Sequence, residues 1–224
     1  MLFHVNIVKF FFPIDDHLFR LQKAEALKNL WKICILLILC SAGVYTWMAL
    51  LGLGTDIISA EATGLTLFQY EAAKVWFVLG RMAFAVVFAL LVLFIPSLIF
   101  YAFTDIPYKK LVVLQEIVLL IMLVERVLWI PFAVYAGLDW FAAPWSFGII
   151  ASYLTDASWV IFFFGAISLF QLWIIWFQVK FLSYLSPIRK RWIWMSVIAI
   201  HIFYWACTAA LAFLDSHLIS GWFG

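Results

Sequence analysis

The sequence predicts an all-α fold: a polytopic membrane helical bundle of five transmembrane helices, with the amino terminus cytoplasmic and the carboxyl terminus outside. Three observations predict it. Hydrophobic residues make up 68% of the chain and charged residues only 12%, which is about half the charged share of an ordinary soluble domain. The apolar residues gather into five runs, each of about 20 residues or more, the length that crosses a hydrocarbon core of about 30 Å. The basic residues fall almost wholly on one side of those runs. A mean hydropathy of +1.11 leaves no room for a sizeable soluble domain. The net charge of +2 marks no nucleic-acid surface, because the lysines and arginines are scattered as flanks between apolar runs.

Residues 1–29 read as a cytoplasmic or interfacial amphipathic segment. Pro13 followed by Asp15 and Asp16 is a helix start. Leu18, Leu21, Ala24, Leu27 and Trp31 then recur at three- to four-residue spacing, with Arg20, Lys23 and Lys28 mostly elsewhere. The pattern predicts a helix on the cytoplasmic membrane surface leading into the first span. It serves either as a connector with snorkelling lysines or as a helix that docks a partner. Asp15, Asp16 and Glu25, with no small-residue cleavage pattern, argue against a secretory signal.

The five-span domain covers 30–214, with spans at about 30–53, 75–103, 111–135, 158–182 and 192–214, and a short external tail at 215–224. On the inner side fall Lys9, Arg20, Lys23, Lys28, Lys32, Lys109, Lys110, Lys180, Arg189, Lys190 and Arg191. On the outer side only Lys74 stands among Asp56, Glu61, Glu71, Asp139, Asp156 and Asp215. Such a bias orients the first span with its start in the cytoplasm, and with five apolar runs the chain is expected to be a multi-pass protein of the cell membrane. Trp31 and Trp192 mark the inner interface, and Trp140, Trp145, Trp159 and Trp222 the outer one. Between the first two spans, Thr66 followed by Gln69 and then Glu71 predicts a capped, short amphipathic helix near the outer surface. The aromatic, nearly uncharged stretch 137–157 is expected to dip into the interface or fold over the bundle.

Ionisable residues inside the spans are Arg81, Glu116, Glu125, Arg126 and His201. Each costs roughly 2.5–3.5 kcal/mol to insert, so each should face protein. Glu125 and Arg126 are adjacent and therefore point about 100° apart on a helix, too far to neutralise one another. The expected partner of Glu125 is Arg81 on the second span. Arg126 is expected to snorkel outward or to meet Asp139 or Asp156. Glu116, half a turn away from Glu125, is expected to meet Lys109, Lys110, Gln178 or Lys180, which puts the third span in the middle of the bundle. This polar network reads as structural glue, as a proton or ion relay, or as a docking site for a partner helix. Gly165, Ser168, Gln171 and Gln178 share one broad face of the fourth span and form a candidate helix-packing or partner face.

His201 reads as a hydrogen-bonded structural histidine. Cys34, Cys40 and Cys207 lie in apolar runs without ligand spacing, so neither a metal, a disulfide nor a cofactor is expected. There is no P-loop, HExxH or GxSxG pattern, and no catalytic residue or enzyme is expected. No pair of glycine- or proline-broken spans of the transporter type is visible either.

Several stretches together resemble a known family. Gly80 and Arg81 open the second span, "FIPSLIFYAF" closes it, and "GAISLFQLWIIWFQVKFLSYLSPIRKRW" carries Phe170 and Trp173 before a basic turn and a last apolar helix. Over residues 75–214 the chain resembles the bacterial members of the Yip family, five-span proteins first known for binding Rab GTPases. The resemblance implies a non-enzymatic integral membrane accessory or scaffolding subunit that assists assembly or activity of a membrane complex. Similar bacterial proteins assist ABC exporters. The partners implied are thus the lipid bilayer and another integral membrane protein, such as ABC transporter subunits, and no nucleic acid. The residues leave a second reading, a small transporter or channel-like protein using the acids of the third span.

Overall fold

The computed structural model of the chain describes residues 2–7, 14–55, 59 and 64–214. Lys9, Pro13, Asp56, Glu61 and the tail 215–224, with Asp215 and Trp222, lie outside the described residues. In chain order the elements are β1 (Leu2–His4), α1 (Ile14–Gln22), β2 (Ala26–Lys28), α2 (Leu30–Leu50), α3 (Leu67–Phe103) and α4 (Tyr108–Ala136). A 3-10 turn (Trp140–Ala142) follows, then α5 (Gly148–Leu154), α6 (Ser158–Gly165), α7 (Leu169–Leu185) and α8 (Lys190–Leu214). Among the described residues, α2, α3, α4 and α8 are long and apolar enough to cross a membrane. The chain is a membrane protein by that measure, and among the described residues its regular structure is helical apart from two three-residue strands. A lipid solvent favours this, because it offers no partner to an unpaired backbone group.

The middle of the bundle belongs to α4, which packs against α2, α3 and α7. Every residue from Leu111 to Leu119 is buried. A helix covered on all sides over that length has no lipid-facing stripe there. The largest core gathers around these residues and takes in Leu93, Phe100, Phe177 and Phe181. A smaller one at the opposite end joins Tyr45, Met48, Ala85, Trp129, Ile130 and Ala143. Pro96 and Pro131 sit inside α3 and α4 without ending either helix.

Three expected elements take a different form. The stretch 13–31 is not one helix: α1 ends at Gln22, and β2 pairs in parallel with β1 through Leu2–Ala26, Phe3–Leu27 and His4–Lys28. Asn29, at φ 69°, then turns the chain into α2. The apolar stripe of α1 faces protein, with Leu18 and Leu21 fully buried. Lys180 pairs with Asp15 at 2.9 Å, and Lys110 Nζ donates to the Gln22 carbonyl at 2.9 Å. The segment therefore caps the basic end of the bundle rather than lying on a lipid surface; the protein interior competes for the same stripe and takes it.

The capping box at Thr66 does form. Thr66 Oγ1 accepts from the Gln69 N–H at 3.4 Å, and the Thr66 N–H donates to Gln69 Oε1 at 3.0 Å. The helix it starts is not separate and short, however. It continues into the second span as the 37-residue α3, about 55 Å long against a hydrocarbon core of about 30 Å. No residue of this stretch breaks the helix, so its first turns stand clear of the bundle, with Leu67 and Phe68 80% and 83% exposed.

The continuous helix expected over 158–182 as a fourth span forms instead as two helices. α6 stops at Gly165, Ala166–Ser168 leave the helical path, and α7 begins at Leu169. The stretch 137–157 folds back over this break. The Phe147 N–H donates to the Ile167 carbonyl and the Leu169 N–H to the Trp145 carbonyl, both at 3.0 Å. Those two bonds satisfy backbone groups that the interrupted helix cannot.

Candidate functional site

Helical geometry places the two glutamates of α4 at different depths. Nine residues separate them, about 13.5 Å along the axis and half a turn around it. They meet different neighbours.

Glu116 is 0% exposed. The Cys34 thiol of α2 donates to its Oε1 at 3.2 Å. Among the described residues, Glu116 Oε2 has no hydrogen-bond partner, and neither do the two polar side-chain atoms of the adjacent, fully buried Gln115. Three of the four expected partners are engaged elsewhere: Lys110 on Gln22, Lys180 on Asp15, and Gln178 Oε1 on His201 Nε2 at 3.0 Å. The fourth, Lys109, is exposed at the start of α4 and forms no ion pair with Glu116. The buried face of α2 runs Leu30, Cys34, Leu37, Ser41, Tyr45 and Met48, a spacing of three and four that aims Cys34 at α4. That periodicity is the sequence signal for Cys34, which otherwise stands out only as a cysteine in an apolar run without ligand spacing.

Glu125 is half-buried near the break between α6 and α7. Its carboxyl lies beside the Ser168 hydroxyl and the Trp145 side chain. Ser168 N-caps α7, its Oγ accepting from the Gln171 N–H at 3.2 Å. The expected contact with Arg81 is not made: no ion pair joins them. Arg81 instead sets its guanidinium against Gly54, in the turn that leaves α2, and over the Phe77 ring at 5.1 Å. The reason is depth. Arg81 is level with the turn that follows the last residue of α2, whereas Arg126, next to Glu125, lies over Tyr45 inside that helix.

Arg126 meets neither Asp139 nor Asp156. It lies over the rings of Tyr45 and Trp129, at 5.9 and 5.4 Å, a cation–π arrangement that stabilises an arginine without a carboxylate. Glu125 and Arg126 are not ion-paired with one another, as their helical positions require.

The candidate packing face of the fourth span is divided by the break. A Cβ on Gly165 or on Gly148 would run into Phe141, so both glycines are where the folded-back stretch approaches α6. Ser168 and Gln171 form the cap of α7. Gln178 is buried and bonded to His201 of α8. Trp145, which no sequence pattern marks out from its aromatic neighbours, packs on Phe132 and Phe170 and braces the break. The arrangement thus holds one enclosed acid at Cys34 and one half-open acid beside a helix break. Comparison with known protein families, curated proteins and solved structures finds no match for this chain.

Proposed function

We propose that the chain is a non-enzymatic, multi-pass accessory or scaffolding subunit of the Yip type, which assists assembly or activity of another membrane complex, an ABC exporter being the leading example. It crosses the cell membrane five times, with α6 and α7 together as the fourth crossing, its amino terminus cytoplasmic and its carboxyl terminus outside. The observation that supports this reading is the surface of α8. Only 17% of its most apolar stretch is buried, and Met195, Ile198, Ile202 and Phe203 face outward. Gln115 and Glu116 of α4 and Gln178 of α7 are meanwhile buried, and the helix break is closed by backbone hydrogen bonds. What remains for interaction is an apolar flank suited to a partner helix. Purification in a gentle detergent followed by mass spectrometry tests it: a stoichiometric membrane partner is expected, and a protein that runs alone counts against the reading.

A small transporter or channel-like protein is the second reading, favoured by Glu125 beside the broken fourth span, since discontinuous helices at membrane depth mark substrate sites in transporters. Glu125→Gln in reconstituted vesicles separates the two. Loss of an ion or proton flux would displace the accessory reading; unchanged permeability with altered partner binding supports it.

A further inference from the structure

At the basic end of the bundle a groove of about 310 Å³ lies between the starts of α2 and α4, lined by Leu27, Asn29, Leu30, Trp31, Lys32 and Lys109. Its lining holds two cations and no acid. Lys32 and Lys109 are exposed, and among the described residues neither has a carboxylate within ion-pair distance. Two other basic residues at this end are committed, Lys180 to Asp15 and Lys110 to the Gln22 carbonyl. Asn29 leaves its side chain free of any capping bond at the head of α2. Trp31 stands exposed at the edge, its ring 6.2 Å from that of Phe94, an aromatic position suited to a membrane–water boundary.

The groove continues into an apolar track. Ile35, Leu36 and Leu39 lie three, four and seven residues beyond Lys32, on the same side of α2, and all three are exposed. A ligand that meets two cations at its head and an aliphatic ridge directly below must carry both an anion and long hydrocarbon. We propose that this groove binds the headgroup of an anionic phospholipid, with Lys32 and Lys109 on the phosphate and an acyl chain along Ile35, Leu36 and Leu39. A zwitterionic headgroup brings a cation for which the lining has no acid. Free phosphate would make no use of the track. This site is independent of which partner, if any, the apolar flank of α8 takes.

The test uses the detergent-purified full chain titrated with phosphatidylglycerol, phosphatidylcholine of the same acyl chains, or inorganic phosphate, with retained lipid counted by native mass spectrometry. The expected result is one retained phosphatidylglycerol, lost on Lys32→Gln/Lys109→Gln and kept on Lys190→Gln/Arg191→Gln, which removes two basic residues from the same end. A lysine close to an anionic surface is worth about fivefold in affinity, so the double variant should bind roughly thirtyfold more weakly. Lys32→Arg/Lys109→Arg should bind like the parent, which separates lost charge from a misfolded variant. Equal retention by the first double variant, equal loss in the control pair, equal binding of phosphatidylcholine, or displacement by inorganic phosphate would each overturn the proposal.

Discussion

Gln178 and His201 are the clearest case of polar residues that lipid makes interdependent. Both are buried, on α7 and α8, and each supplies the other's partner at 3.0 Å. Truncating one leaves the other enclosed and unsatisfied, whereas replacing both with apolar groups removes the demand as well as the bond. Gln178→Leu or His201→Leu alone should therefore destabilise by about 0.6–1.7 kcal/mol, the range for interhelical hydrogen bonds in membranes. The double variant should recover most of the loss, read as apparent melting temperature in detergent. Additive losses would mean that the two side chains act separately. Glu116 shows the other extreme, one oxygen held by Cys34 and the other without a protein partner. Such a group was conspicuous in the sequence, since a charge in an apolar run is visible at once, but its partner was not. Nothing in the spacing of α4 says which residue of another helix stands at its depth.

At the scale of elements, α3 and the α6–α7 pair departed furthest from expectation. The first comes from an uninterrupted run of helix-compatible residues in α3 itself, the second from what packs against α6. Gly165 ends α6 where Phe141 comes against it. Gly165→Val should cost about 3 kcal/mol, the upper end for overpacking, because the obstacle includes backbone. Gly80→Ala, with nothing within 4 Å of its added carbon, should be neutral or stabilising in the same melting assay. Equal effects would place Phe141 away from Gly165. The clear start of α3 gives a second measurement. In a chain with Cys34, Cys40 and Cys207 replaced by alanine, the Leu67→Cys variant should react quickly with an aqueous, membrane-impermeant maleimide in vesicles that expose that end. The Leu90→Cys variant should not, although Leu90 is also exposed on the helix surface, because lipid rather than water covers it. Equal labelling would remove the case for a protruding helix start.

At the scale of the whole molecule, the amino-terminal β1–α1–β2 unit closes the basic end of the bundle. Its grip is chiefly apolar. Leu18 and Leu21 are fully buried, whereas Asp15 is 73% exposed in its pair with Lys180. A surface pair contributes about 0–1 kcal/mol, and a buried leucine cut to alanine costs about 2–5 kcal/mol. Limited proteolysis in detergent should show faster cleavage within the first 29 residues for Leu21→Ala and near-parental cleavage for Asp15→Asn. Equal protection of both variants would mean that neither contact holds the unit down.

The sequence by itself determined the long apolar helices. The expected borders of 30–53, 111–135 and 192–214 lie within a few residues of Leu30–Leu50, Tyr108–Ala136 and Lys190–Leu214, because exclusion of polar residues from a lipid core acts on each stretch separately. It also singled out Glu116, Glu125 and Arg126, and the adjacency of the last two sufficed to show that they could not satisfy each other. Only the tertiary structure decided where those groups went: Glu116 to Cys34, Glu125 to the surroundings of Ser168 and Trp145, and Arg126 to two aromatic rings. It likewise decided that the helix expected over 158–182 divides into α6 and α7 and that α1 turns inward. Such choices depend on the relative depth and rotation of helices distant in sequence, which are set by packing between them and leave no period within any one of them.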